Sequence, residues 1–94
     1  MARTFVNVDL RDRRAISRFT SAMLKLGFVQ TLVGRKKHQP LQLPRGVYLL
    51  ERGGTQEALE LARQAVRTTN VQAHILCVPA SGDVRFGNLA PSAR

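Results

Sequence analysis

From Thr4 to Leu10 the chain alternates: Val6, Val8 and Leu10 are aliphatic, and Phe5, Asn7 and Asp9 stand between them. A period of two is the mark of a strand, and it sends the three aliphatics into a core while the other three share the opposite face. The basic run Arg11-Asp12-Arg13-Arg14 follows, and then the period changes. Ile16, Phe19, Met23 and Leu26 recur at spacings of three and four, which predicts an amphipathic helix over Ala15–Leu26. Asp12 suits its N-cap, Gly27 a left-handed C-terminal residue, and Ser17, Arg18, Ser21 and Lys25 the outward face. A strand that turns at once into a helix packing back on it sets an α+β chain.

The remaining stretches extend the pattern. Phe28 to Gly34 reads as a second strand, with Val29, Thr31 and Val33 on one face and Phe28, Gln30 and Leu32 on the other. Residues 35–46 carry two prolines and a glycine, so they are expected as a long basic connection with an edge strand at Leu41–Leu43. Val47–Glu51 is the third strand, and Gly53-Gly54 ends it. Thr55 suits the N-cap of a second helix, Gln56–Thr68, with Ala58, Leu59, Ala62, Ala65 and Val66 as its buried stripe. Asn70 closes that helix, Val71–Pro79 is the fourth strand, and Val84-Arg85-Phe86 is the right composition for a short added one. The order βαββαβ predicts a ferredoxin-like domain over residues 1–90 with a loose tail at 91–94. Its four strands would form one antiparallel sheet with both helices on one face. The other face is then bare, and Phe5 on it would stack on a base or pack against a partner.

Charge limits the partners. The chain has 15 Lys and Arg against six Asp and Glu, a net charge of +9. Residues 1–52 hold eleven of the basic residues and three of the acidic ones, so the excess is concentrated in one half. A polyanion, most often a nucleic acid, is the partner such a surface fits. The plainer reading is a basic protein that simply carries its charge. No apolar run is long enough to cross a membrane, and the N-terminus lacks the pattern of a signal peptide. Cys77, the only cysteine, cannot form an internal disulfide, so a reducing, cytoplasmic setting is expected. A chain of 94 residues is marginal alone, which favours a homodimer.

Several residues carry candidate chemistry. Arg11, Arg13, Arg14 and Arg18 gather at one sheet end and a helix start, where they would hold phosphates or simply remain solvated. Arg35, Lys36 and Lys37 form a compact loop-borne patch, with Arg45 further along, and these too are candidate nucleic-acid contacts. His38 beside that patch would be a general acid or base acting at a ribose 2′-hydroxyl, or an ordinary contact. Asp9 would hold Mg²⁺ through a carboxylate oxygen, or pair with Arg11 or Arg13, or cap the following turn. His74 reads as a sheet-face or interface residue and Tyr48 as core or dimer packing, with base stacking as its alternative. No nucleophile pairing, zinc-ligand spacing or Gly-rich phosphate loop is present. The third strand, Val47-Tyr48-Leu49-Leu50, lacks the basic-Gly-aromatic run of an RNA-recognition motif.

Five segments resemble a known family: Phe5–Leu10, Ala22-Met23 with Gly27-Phe28, Leu43-Pro44 with Tyr48, Ala58–Ala62 and Ile75–Val78. Their order and spacing over about residues 3–90 look like the GhoS family, the small antitoxins of type V toxin–antitoxin systems. That resemblance implies a ferredoxin-like fold shared with the CRISPR adaptation endonucleases, and an endoribonuclease that cuts the toxin's messenger. In those related nucleases an aspartate at the end of strand one is associated with a metal, and Asp9 occupies the matching place. The resemblance makes RNA the expected substrate, and Asp9, by its matching place, or His38, by its own chemistry, is the candidate seat of the cleavage. The reading from a different class is a non-catalytic interaction protein of phage or mobile-element origin. Such a protein would dock its free sheet face on a nucleic-acid-processing protein.

Overall fold

The computed structural model describes residues 2–33 and 40–80. Arg35, Lys36, Lys37 and His38, the strand expected at Val84–Phe86 and the tail at 91–94 lie outside the described residues.

The first strand, β1, spans Thr4–Leu10 and is central in a three-stranded antiparallel sheet. One neighbour is β4, Val47–Leu50, and the other is β5, Ala73–Pro79. A 3-10 turn, Arg13–Ala15, leads from β1 into helix α1, Ile16–Lys25, and helix α2 runs over Thr55–Thr69. Val6, Val8, Tyr48 and Leu50 meet Phe19 and Met23 of α1 and Ala58, Ala62 and Ala65 of α2 in one buried cluster. Burying a side chain such as Met23 contributes about 1.5–3 kcal/mol, and the alanines let α2 come close to the strands.

The punctuation residues act largely as their chemistry dictates. Asp12 caps the 3-10 turn, its carboxylate accepting from the Arg14 amide at 2.9 Å. Gly27 takes a φ of +100°, and Asn70 closes α2 in the left-handed region at φ 54°. Thr55 is not the cap of α2. Gly54 holds that position in extended backbone without a side-chain bond, and Thr55 is already helical.

The expected single four-stranded sheet is corrected. One bridge joins the second strand region to the sheet: Val29 and Leu49 exchange backbone hydrogen bonds at 2.9 and 2.8 Å. Continuing that antiparallel register would set Thr31 opposite Val47. The Val47 amide, however, already donates to Pro44 O at 3.0 Å within its own turn. Strand β2, Thr31–Val33, therefore pairs with β3, Pro40–Gln42, as a separate two-stranded sheet. The edge strand expected at Leu41–Leu43 is this β3, shifted by one residue.

The hairpin also changes what lies on the second face of the main sheet. Leu32 and Leu43 are buried with Leu49, and Phe5, Val29 and Val47 pack against them. Phe28, expected on the same face as Leu32, enters the main core instead. The face expected to be bare is thus covered over its β4 side, and Phe5 is half-buried. Towards β5 the face stays open: Leu76 and Val78 are 60% and 47% exposed.

Candidate nucleic-acid interface

At the end of β1 a cleft of about 230 Å³ opens between the start of α1 and the turn that leads into β4. Asp9, Arg13, Gln30, Arg45, Gly46 and Tyr48 are among the residues lining it. Its two arginines are delivered by short, well-tied backbone segments. Arg13 sits in the 3-10 turn, where the Ala15 amide donates to Asp12 O at 3.1 Å. The Asp12 carboxylate is occupied by the cap, and the Arg14 amide and then the Arg14 guanidinium hold its carboxyl below the usual carboxylate range. Asp12 thus spends its charge on Arg14, and not on Arg13.

Arg45 is presented by the turn Pro44–Val47, closed by the Val47 amide on Pro44 O. Gly46 occupies the third position at φ +83°, the conformation that a type II turn needs there. A Cβ at that residue would stand 2.8 Å from Val8 O, so the backbone approach itself demands glycine. The deep wall is aromatic. Tyr48 meets Phe19 edge-on with ring centroids 6.1 Å apart, and its hydroxyl shares a 2.8 Å hydrogen bond with the Thr20 hydroxyl. Burial pushes the Tyr48 phenol up, and the Thr20 bond offsets part of that. Tyr48 is therefore a core residue that shows an edge to the cleft, and not a base-stacking platform.

The sequence candidates divide into separate places. Asp9, Arg13 and Arg45 come together at the cleft. Arg11 lies at the β5 side of the same sheet end, its Nη1 donating to Gln72 Oε1 at 3.5 Å. Arg14 pairs with Asp12 at 3.3 Å, both exposed, in the ion pair found among the described residues. Asp9 is not neutralised by Arg11 or Arg13 in that set. Arg18 is turned to the helical side, its Nε donating to Thr69 O at 3.1 Å. Across the β1–β5 ladder the partner of Asp9 is His74, so an imidazole does stand beside this carboxylate, from a strand that spacing alone could not align with it. Gln30 was also hidden, because only the peeling of β2 brings it to the rim.

The donor set fits a phosphodiester better than a metal. A guanidinium offers five N–H donors in a planar fork matched to phosphate oxygens. Among the described residues no group of three or more His, Cys, Asp and Glu side chains could hold a metal ion. Of these residues Asp9 is the only carboxylate lining the cleft, and the two other charged groups there are guanidiniums, which disfavour a dication. Asp9 is suited instead to accepting a hydrogen bond from a hydroxyl. No family model, characterised protein or solved structure matches the chain.

Proposed function

We propose that the protein binds single-stranded RNA by its sugar–phosphate backbone at the cleft beside Asp9. The observation that carries this reading is that Arg13 and Arg45, held by two independently fixed turns, line the same cleft as Asp9. The guanidiniums take phosphate oxygens, and Asp9 accepts from a ribose 2′-hydroxyl, the group that tells RNA from DNA. Within this reading the chain is a ferredoxin-like domain in which the β2 segment is hydrogen-bonded to the main sheet by the Val29–Leu49 bridge.

Cleavage is the extension of the same site, in keeping with the GhoS-like resemblance. With Asp9 taking the 2′-hydroxyl proton, the 2′-oxygen attacks the adjacent phosphorus. The P–O5′ bond breaks, and the leaving 5′-oxygen takes a proton from water. The products are a 2′,3′-cyclic phosphate and a 5′-hydroxyl, with the arginines facing the charge of the phosphorane. A second reading rests on Leu76 and Val78: an apolar patch on an exposed strand fits docking against a protein, including a second copy of the chain.

The deciding experiment titrates labelled single-stranded RNA and the matching DNA across salt, with magnesium or with chelator, and resolves the products on a gel. RNA preference that is lost in Asp9→Asn supports the cleft. Discrete products in both lanes, absent in Asp9→Asn, support metal-free cleavage. No binding to either strand at low salt overturns the reading and leaves the protein-docking one.

A further inference from the structure

A second concave surface lies on the helical side, away from the cleft. Arg18, Ser21 and Lys25 of α1 and Gln64 and Thr68 of α2 line a groove of about 430 Å³. Its floor is apolar, with Ala22, Leu26 and Ala65. Three features give this groove a chemical sense.

The first is the sign of its charge. The lining holds two cations and no carboxylate. The acids of α2, Glu57 and Glu60, line a neighbouring depression that meets the groove at Gln64 and also holds Arg63 and Arg67. The second is spacing. Arg18, Ser21 and Lys25 follow one another at three and four residues, so they share one ridge along α1. Arg18 and Lys25 stand about 10 Å apart along the axis, far enough to hold two different phosphates. The third is preorganisation. Arg18 donates through Nε to Thr69 O, which fixes its stem and leaves both terminal nitrogens to the groove. Thr68 and Thr69 spend their hydroxyl protons on Gln64 O and Ala65 O, each at 2.7 Å. The uncharged donors left to a ligand are then Ser21 and the Gln64 amide.

We propose that the groove between α1 and α2 is a second seat for the backbone of a single-stranded nucleic acid, continuous with the cleft around the start of α1. The inference rests on the RNA-binding reading and extends its footprint. Arg13 lines the cleft and Arg18 the groove, five residues further along the same chain segment, and the exposed Asp12 carboxylate beside Arg13 in the chain is already bonded to Arg14. Cations take the phosphates, and the apolar floor accommodates sugar and base faces.

The test uses the full chain and two labelled RNAs, one of about 4 nucleotides and one of about 16, the range of single-strand site sizes. Lys25→Ala and Gln64→Glu are the variants, because both side chains are exposed and neither holds the fold. Arg18 is left intact, since it also binds the end of α2. Both variants are expected to weaken the longer RNA several-fold at low salt and to leave the shorter one unchanged. Lys25→Ala should make the salt slope for the longer RNA shallower by about 0.7, the loss of one phosphate contact. If the longer RNA binds both variants as tightly as the parent, while Arg45→Ala weakens it, the groove is overturned and the cleft stands. If the groove variants weaken binding and Arg45→Ala does not, the groove stands and the cleft reading falls. A parent that binds neither RNA overturns both.

Discussion

The carbonyl of Gly46 accepts the amide hydrogen of Val8 at 2.7 Å, which fastens the turn bearing Arg45 to the strand bearing Asp9. Two sequence-distant segments are thereby held in one geometry by backbone alone, with no side chain to adjust. Gly46→Ala would introduce a left-handed non-glycine residue, costing roughly 1–2 kcal/mol, and would also push a methyl group against Val8 O. The expected result is a fall in the denaturation midpoint together with weaker RNA binding in the fraction that still folds. Denaturant unfolding and a binding titration measure the two. Unchanged stability would mean that the turn is not held as described.

Arg13 and Arg45 are exposed, so replacing either by alanine should change stability by less than about 0.5 kcal/mol. In the proposed reading each holds a phosphate, so each loss should lower the slope of log affinity against log salt by about 0.7 on a single strand. The same slope in the parent and in Arg45→Ala would take that residue out of the interface.

Phe5 separates packing from recognition. It lies opposite Leu49 in the β1–β4 ladder and packs against the cluster of Leu32, Leu43 and Leu49. Full burial of a phenylalanine makes truncation to alanine worth about 3–5 kcal/mol, and a half-buried ring costs less, roughly 1–3 kcal/mol. Phe5→Ala should destabilise the protein by that amount and leave the RNA affinity of the folded protein unchanged. Loss of affinity at full stability would restore Phe5 as a stacking platform.

Phe5 also shows where the sequence stopped being readable. Its strand, both helices and β5 follow from local periodicity, because Val6 and Val8 or Phe19 and Met23 state their buried face within one element. Leu32 and Phe28 do not. Two residues of equal hydrophobicity at even spacing should share a face, yet Phe28 enters the main core and Leu32 the smaller cluster. The break is set by the Val47 amide, already bonded to Pro44 O and so withheld from Thr31. That competition is between segments far apart in the chain, and no window of sequence contains it. Site residues divide in the same way. Arg13 and Asp9 stand close together in sequence and were legible together, whereas Arg45, His74 and Gln30 reach the region only through strand register and turn closure.

Tyr48 gives a pH dependence whose sign is fixed by burial. The phenol is desolvated in the core, which raises its pKa above the ordinary 10.0, while the bond to Thr20 opposes this more weakly. Above the ordinary value an unfolded chain gives up the proton and the folded chain keeps it, so the folded state binds more protons. Stability from this group is then complete below about pH 10 and declines as pH rises through the raised folded value. Tyr48→Phe keeps the edge contacts to Phe19 and Phe28 and loses the Thr20 bond, for a cost near neutrality of about 1 kcal/mol. As pH rises above about 10 the gap between parent and variant should narrow, because the variant has no phenolate to bury. Urea midpoints of both proteins, measured together from about pH 8 to about pH 12, cancel the titration of the lysines they share. Parallel curves across that range would mean that the Tyr48 hydroxyl reaches solvent through the cleft, and its place as the buried wall of the RNA site would have to be abandoned.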